Sequence, residues 1–223
     1  MGKLRPKYVV WENVRNLLSK KHRHNFDAYL EAIEELGYNS FYQVLNAKDF
    51  GVPQNRERVF TISIRDDLKQ AFTLPETVEL DKCLRDILEP EVDEKYYLSD
   101  KYLSRVSPLE ESQKENGRVL RVGGLYDKPG NKHQAGSIFD PSGISATLST
   151  MQGGNQEPIV TDEAKHRIRK LTPRECWRLQ GFDDEAFDRA QKTGMSNAQL
   201  YKQAGNSICV NVLEAIFKNL FAE

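Results

Sequence analysis

The chain has 223 residues, of which 39% are hydrophobic and 29% charged, and its formal net charge is −1. This composition is typical of a globular protein and excludes a disordered chain, a collagen and a coiled coil. No apolar run approaches the ~20 residues that a membrane-spanning helix needs, and no apolar segment follows Met1. We therefore expect a soluble, cytoplasmic protein without a membrane partner.

The cysteine and histidine content argues against a metal site. Cys83, Cys176 and Cys209 lie far apart, without a CxxC pair, and the four histidines form no HExxH pattern. The sequence therefore predicts reduced thiols and no structural metal.

Positive charge is concentrated in two stretches although the net charge is close to zero. Residues 1–24 contain seven basic residues and one acidic residue, and residues 165–178 contain six basic residues and one acidic residue. Phosphate contacts depend on local charge, so two such stretches could bind a polyanion. A solvated charged surface explains the same pattern equally well.

The first third of the chain alternates strand and helix signals. Residues 7–11 form a short, mostly apolar run that is followed by the polar Glu12. This pattern is typical of a buried strand in a parallel sheet. Residues 25–36 repeat apolar side chains every three or four positions before Gly37, which predicts an amphipathic helix with a left-handed glycine cap. Residues 41–45 and 59–64 are predicted to be two further strands joined by a loop.

The second half combines a glycine-rich region with helix signals. Residues 117–160 contain eight of the fourteen glycines, which indicates a small, loop-rich β subdomain. Thr172, Pro173 and Glu175 provide an N-cap, a proline at the first helical position and the glutamate of a capping box, and Gly181 would end that helix.

The carboxyl-terminal segment is predicted to be one amphipathic helix. Residues 205–207, GNS, would open it, and its apolar stripe would include Ile208, Val212 and Ile216. Backbone amides at such a helix start can bind an anion, although helices commonly begin in this way.

Gln54, Arg56 and Arg58 alternate along the chain, so in a strand their side chains would share one face. Arginine presents a planar set of donors suited to a phosphate or a flat, acceptor-rich group. The same sequence is also typical of surface arginines paired with nearby acids. Glu12 taken alone is equally typical of a solvated carboxylate or a helix cap.

Four motifs in order give these signals a common interpretation. Residues 12–14 read ENV, residues 51–58 read GVPQNRER, residues 171–182 read LTPRECWRLQGF and residues 205–208 read GNSI. In this order they closely resemble the later motifs of the DNA cytosine-5 methyltransferase family, over essentially the whole chain. Asp183 stands where the family usually has proline, which affects a turn rather than chemistry.

The resemblance implies an α/β fold: an incomplete Rossmann-like methyltransferase sheet with a small mixed α/β target-recognition subdomain. Residues 1–75 would be the carboxyl-terminal part of the catalytic domain, residues 76–200 the target-recognition domain, and residues 201–223 a last helix returning to the catalytic domain. The family's cofactor glycine motif and Pro-Cys nucleophile motif are absent from the sequence. We therefore expect a carboxyl-terminal portion, whether a truncated chain, a decayed gene or half of a split enzyme, that is inactive alone.

The resemblance also implies roles for individual residues. Glu12 would hydrogen-bond or protonate cytosine nitrogen 3, Arg58 would donate to the carbonyl oxygen of the base, and Arg56 would hold a phosphate or the catalytic loop. Asn206 and Ser207 would belong to the site of S-adenosylmethionine, the family's methyl donor. The residues expected to bind DNA are Gln54, Thr147, Leu148, Arg167, Arg169 and Arg174.

The expected partner is double-stranded DNA from which the target base is flipped, in a protein of bacterial or phage origin. Without the family's early portion, the strand edge at residues 8–11 should lack its usual cover, and so should the apolar stripe of the last helix at Ile208, Val212 and Ile216. We expect these surfaces to self-associate or to bind an amino-terminal methyltransferase half. The alternatives are a non-catalytic DNA-binding module or subunit and, less favoured, an RNA methyltransferase of the same family.

Overall fold

The computed structural model describes residues 4–115, 119–127, 135–151 and 156–221. Parts of the glycine-rich stretch at 117–160 therefore lie outside the described residues. The described strands are β1 (Tyr8–Val14), β2 (Tyr38–Asn46), β3 (Gln54–Asn55), β4 (Glu57–Arg65), β5 (Ser107–Glu115), β6 (Val119–Gly124), β7 (Ser137–Phe139), β8 (Ser145–Ala146), β9 (Ile159–Asp162) and β10 (Arg167–Lys170). The described α-helices are α1 (Arg23–Glu35), α2 (Asp100–Leu103), α3 (Pro173–Arg178), α4 (Asp184–Lys192), α5 (Asn197–Asn206) and α6 (Val210–Leu220).

The first sheet has the strand order β1-β4-β2 among the described residues, and both pairings are antiparallel. Helix α1 covers one face, where Trp11 stacks on the buried Phe26. Helix α6 belongs to the apolar cluster on the other face, where Ile216 packs with Phe60 and Ile62. The result is a sheet between two helices, and the predicted α/β class is confirmed.

The local predictions for this part hold because short-range patterns dictate them. The predicted helix at 25–36 is α1, and Gly37 after it has φ +80°, the left-handed conformation that glycine adopts without strain. The predicted strands at 41–45 and 59–64 lie within β2 and β4.

The expectation that residues 7–11 form a buried strand of a parallel sheet is corrected. Strand β1 pairs antiparallel with β4, from Tyr8 opposite Ile64 to Val14 opposite Arg58. Its residues are half-buried, and Val14 is exposed. Among the described residues β1 has β4 as its one neighbour, so it forms an edge of the sheet, and this explains the partial burial.

A second sheet, with the order β10-β9-β7-β6-β5 in the described part of the chain, is built from strands between Ser107 and Lys170. It is antiparallel except where β7 runs parallel to β9. Helix α3 begins with the predicted capping box, since Thr172 accepts from the Glu175 amide and Glu175 accepts from the Thr172 amide. The helix ends at Arg178, and Gly181 shortly beyond it has φ +81°.

The prediction that residues 205–207 open the last helix is wrong. Gly205 and Asn206 are the final residues of α5, and Ser207 caps its carboxyl end. A Cβ at Gly205 would lie 2.0 Å from the Ser149 carbonyl oxygen, so glycine is required by a close backbone approach. The last helix, α6, begins at Val210.

The expected exposure of the last helix's stripe is also corrected. Val212 and Ile216 are 1% and 0% exposed, and Ile208 packs half-buried against the same cluster. The sheet formed within this chain is already large enough to cover them.

Neither a membrane helix nor a metal cluster is found in the described ranges. None of the helices there combines the length and apolarity needed to cross a bilayer. The same residues contain no group of three or more histidine, cysteine or carboxylate side chains placed to hold a metal ion.

Candidate active site

Glu12 and Arg58 form an ion pair near the carboxyl end of β1. The register places Glu12 opposite Phe60 and Val14 opposite Arg58, so Glu12 and Arg58 are diagonal neighbours on one face of the sheet. Arg58 Nε lies 3.1 Å from Glu12 Oε1, and the side chains are 15% and 18% exposed. Burial lowers the pKa of the Arg58 guanidinium, and the Glu12 carboxylate partly offsets that effect. The pair is therefore mostly shielded yet still reachable from solvent.

Arg56 lies two residues before Arg58 but points into the protein. It is 4% exposed, and its guanidinium donates to the carbonyls of Leu148, Gly205 and Ser207 at 3.3, 3.2 and 2.9 Å. Burial, followed by the nearby charge of Arg58, lowers the pKa of Arg56 to about 10. Arg56 is therefore a buried donor to backbone carbonyls, and in this arrangement it is not presented to a phosphate.

Gln54 is fully buried beside Arg56. Its Oε1 accepts from the Leu148 amide at 3.0 Å, and its Nε2 donates to the Leu179 carbonyl. Direct contact between Gln54 and DNA is therefore not supported. Gln54 and Arg56 do point the same way, as predicted, but both side chains point into the protein interior.

The two residues expected to meet DNA from the glycine-rich region lie beside this junction. Thr147 Oγ1 donates to the Asn55 carbonyl at 2.6 Å. Leu148 is 2% exposed, so its side chain belongs to the core and direct DNA contact is not supported for it.

The three arginines of residues 165–178 that were expected to bind DNA have different surroundings. Arg169 is 2% exposed and forms a two-pronged pair with Glu175, with nitrogen–oxygen distances of 2.9 and 2.8 Å, so it is not a surface DNA ligand. Arg174 is 21% exposed and contacts Glu89 and Asp188 at 3.2 and 2.7 Å. Arg167 is 39% exposed, pairs with Glu94, and lies 4.0 Å from the centre of the Tyr97 ring. Arg167 is the most accessible of the three.

Asn206 and Ser207, expected at the cofactor site, lie where α5 ends. Asn206 is exposed. The Ser207 hydroxyl donates to the Ile208 carbonyl at 3.1 Å, and its own carbonyl accepts from Arg56. Asn206 could border a cofactor, but these two residues alone are too small a site to hold one.

Two of the three thiols lack the surroundings of an activated nucleophile. Cys176 and Cys209 are buried, and burial raises the pKa of both thiols, strongly so for Cys176. Cys83 is half-buried at the start of a 3₁₀ turn at Leu84–Ile87. The expectation of reduced thiols agrees with the three free cysteines.

Sequence reasoning missed two buried residues that hold neighbouring segments together, Asn46 beside Arg56 and Glu175 beside Arg169. Asn46 Oδ1 accepts from the Arg56 amide at 2.9 Å, and Asn46 Nδ2 donates to Asn55 Oδ1 at 2.7 Å. Glu175 was predicted only as a helix cap, yet it is fully buried and also pairs with Arg169. An asparagine ending a strand next to a loop was the available signal for Asn46.

With this geometry established, comparisons identify the class of protein. The model of the family described as C-5 cytosine-specific DNA methylase matches residues 2–222. The chain belongs to this family.

Individual relatives agree with that assignment. The chain is 40% identical over 217 residues to the type II methyltransferase M2.ScrFI of Lactococcus lactis subsp. cremoris, an alignment that covers 97% of this chain and 55% of the relative. It is 34% identical to the orphan methyltransferase M.SPBetaI of Bacillus phage SPbeta, covering 97% and 66%. The chain thus spans between about half and two-thirds of these relatives.

Solved structures agree on the fold. The S. pombe Dnmt2 methyltransferase superposes with a TM-score of 0.64 at 20% identity, covering 96% of this chain and 66% of that one. A putative DNA modification methyltransferase from an E. coli prophage gives a TM-score of 0.63 at 19% identity, covering 99% and 70%. At these identities the likeness supports a methyltransferase-like mixed α/β fold.

Proposed function

We propose that this chain is the carboxyl-terminal part of a DNA cytosine-5 methyltransferase, which holds the flipped cytosine and recognises the DNA target. The observation that carries the proposal is the Glu12–Arg58 pair, with its 3.1 Å contact and partial exposure. The pair presents one carboxylate and one guanidinium side by side. That combination matches the polar edge of a cytosine, which contains an amine, a ring nitrogen and a carbonyl.

The proposed chemistry at Glu12 and Arg58 follows from the electron demand of the reaction. Carbon 5 of cytosine is a poor nucleophile, and the family's thiolate makes it reactive by adding to carbon 6. Charge then develops on the ring. A Glu12 carboxyl can donate a proton or a hydrogen bond at nitrogen 3 and accept from the exocyclic amine, while Arg58 donates to the carbonyl oxygen. Arg58 also donates to the Glu57 carbonyl at 2.8 Å, which fixes its orientation.

The family uses S-adenosylmethionine, which supplies the methyl group when bound. Asn206 is our candidate for a residue at the border of that site, because it is exposed at the end of α5. Ser207 would contribute to the border of that site through its backbone, because Arg56 donates to the Ser207 carbonyl and fixes its position. The remaining work of this chain is to orient the base and the DNA.

Double-stranded DNA is the proposed partner, and Arg167 is the proposed direct phosphate contact among the predicted arginines. Its guanidinium rests on Tyr97 and is partly exposed, so it could exchange its pairing with Glu94 for a phosphate. Arg174 and Thr147 remain weaker proposals, because their polar groups already have protein partners. Extrusion of the base costs a few kcal/mol, which such contacts would offset.

We further propose that the chain transfers no methyl groups alone. No cysteine follows a proline in the sequence, and two of the three thiols are buried with raised pKa. Transfer of tritiated methyl groups from S-adenosylmethionine to DNA should stay at background for the purified chain. Incorporation above background without another subunit would contradict this proposal.

The base-holding role is tested in the chain joined to the part of the Lactococcus relative that it does not span. Once that fusion methylates DNA, Glu12→Gln should lower the rate about 100- to 1,000-fold, which is the usual loss for one such electrostatic contact, with little change in DNA affinity. Near-normal turnover would show that Glu12 does not act on the ring.

The second candidate function is a non-catalytic DNA-binding subunit that works with another chain. The free outer side of β1 among the described residues favours it, because an edge strand can pair with a partner strand. In that case the chain binds DNA and associates with the partner, while Glu12→Gln leaves methylation by the complex unchanged.

A further inference from the structure

Four segments distant in sequence meet at Gln54 and Arg56. Gln54 bonds to the Leu148 amide and the Leu179 carbonyl, which follow β8 and α3 respectively. Arg56 bonds to the carbonyls of Leu148, Gly205 and Ser207. Leu148 is thus held through both its amide and its carbonyl, by two different side chains.

The backbone around this junction is packed too closely to shift independently. Strand β3 pairs in parallel with β8, with Gln54 opposite Ser145 and Asn55 opposite Ala146. A Cβ at Gly205 would lie 2.0 Å from the Ser149 carbonyl oxygen. The end of α5 therefore lies directly against the segment formed by residues 145–149.

Asn46 connects this junction to the first sheet. It accepts from the Arg56 amide at 2.9 Å, and the Ala47 amide donates to the Arg56 carbonyl at 3.1 Å. Two residues beyond Arg56, Arg58 contacts Glu12. One short stretch of chain therefore bears both the group paired with Glu12 and the groups that hold residues 145–149.

The partners of Arg56 indicate what its charge is used for. They are three neutral carbonyls from two separate segments, and no carboxylate lies within bonding distance among the described residues. A planar guanidinium with five donors can reach several such acceptors, which a lysine ammonium cannot do with the same fixed geometry. A phosphate ligand would instead need an exposed guanidinium.

We propose that Gln54 and Arg56 are positioning residues that fix residues 147–149 and the α5–α6 connection relative to the Glu12–Arg58 pair. This inference rests on the proposed function, in which Glu12 holds the base and Thr147 is the weaker proposed DNA contact. The position of residues 147–149 relative to the Glu12–Arg58 pair is then fixed inside the protein before DNA binds. Such preorganisation gives binding energy and specificity without direct contact to the ligand.

Amide hydrogen exchange of the 223-residue chain tests the positioning without any DNA. In Gln54→Met the Leu148 amide loses its acceptor, and its protection should fall about ten-fold or more relative to wild type. Amides in β4 should keep their protection. Ile33→Ala, a core substitution on the buried face of α1, is the matched control and should not single out Leu148. An unchanged Leu148 amide in Gln54→Met would overturn the proposal.

The salt dependence of DNA binding separates a positioning residue from a phosphate ligand. A lost phosphate contact reduces the slope of log K against log salt concentration by about one, and lysine in place of arginine preserves most of it. For Arg56→Met and Arg56→Lys we expect the slope to be unchanged and affinity to fall about ten-fold in both variants. Arg167→Met is the matched control, in which the slope should decrease.

Each result decides between the two roles. A reduced slope in Arg56→Met that Arg56→Lys restores would assign Arg56 to a phosphate and overturn the proposal. Absence of DNA binding by the wild-type chain would instead contradict the proposed function, while hydrogen exchange at Leu148 would still decide whether Gln54 positions that segment.

Discussion

Two arginine–carboxylate pairs in this chain have the same chemistry and different surroundings. Arg169 in β10 and Glu175 in α3 are 2% and 0% exposed and are joined by two short contacts. Glu175 also accepts from the amides of Glu89 and Thr172, so both of its oxygens are fully used. Arg58 and Glu12 lie at the sheet and meet at 3.1 Å while remaining 15% and 18% exposed.

The difference separates a structural pair from the pair that we propose to be functional. A buried carboxylate with all of its lone pairs satisfied stabilises one packing arrangement and has no capacity left for a ligand. A partly exposed pair with few contacts can exchange one of them for a substrate atom. An arginine and a glutamate in a motif therefore do not indicate a site until their remaining hydrogen-bonding capacity is known.

The largest expected effect is on stability at the buried pair. Glu175→Ala removes the two-pronged partner of the buried Arg169 and leaves it with the longer 3.8 Å contact to Asp162. This should lower the free energy of unfolding by about 3 kcal/mol, measured by urea denaturation. Glu163→Ala is the control, since Glu163 pairs with Arg85 at the surface, where each side chain is more than half exposed. Equal losses for the two variants would remove the distinction between structural and surface pairs.

A smaller loss is expected at the Glu12–Arg58 pair. Arg58→Gln should lower the free energy of unfolding by about 1–2 kcal/mol, because Glu12 keeps access to water when its partner is removed. A double-mutant cycle with Glu12→Gln measures their coupling, which should also stay within about 2 kcal/mol. A loss as large as that of Glu175→Ala would make Glu12–Arg58 a structural pair as well.

Removing the cap of α3 should have an effect of about 1 kcal/mol. Thr172 Oγ1 accepts from the Glu175 amide at 3.2 Å and donates to Glu89, so Thr172→Ala removes part of the network around the buried pair. Ser99→Ala is the control, because Ser99 precedes α2 without a side-chain cap bond. Urea denaturation should show no change for Ser99→Ala, and an equal change would contradict the capping role.

The smallest effect is a pH dependence from an exposed pair. The Arg178 guanidinium lowers the pKa of Asp184, so the pair stabilises the fold above the unfolded-state pKa of about 4, and this stabilisation is lost as pH falls through the folded-state pKa. Asp184 is 48% exposed, so the contribution should be only a few tenths of a kcal/mol. Asp184→Asn should reduce the stability difference between pH 7 and pH 3 by that amount in low salt, and high salt should abolish the reduction. A reduction that persists in high salt would show that solvent ions do not screen the Arg178–Asp184 pair, against this prediction.

Local signals predicted much of the fold correctly. Helix α1, strands β2 and β4 and the capping box of α3 depend on residues a few positions apart, so the sequence alone defines them. The ordered motifs likewise indicated the methyltransferase family, which the match over residues 2–222 establishes.

Long-range contacts decided the rest. Alternation predicted that Gln54 and Arg56 share a direction, but Leu148 and Ser207, 92 and 151 positions from Arg56, made that direction the interior. The role of Gly205 reversed for the same reason, because the Ser149 backbone lies against it. A local pattern specifies where a side chain points relative to its own strand or helix. Whether that side chain meets water, a carbonyl or a carboxylate depends on segments that only folding brings together.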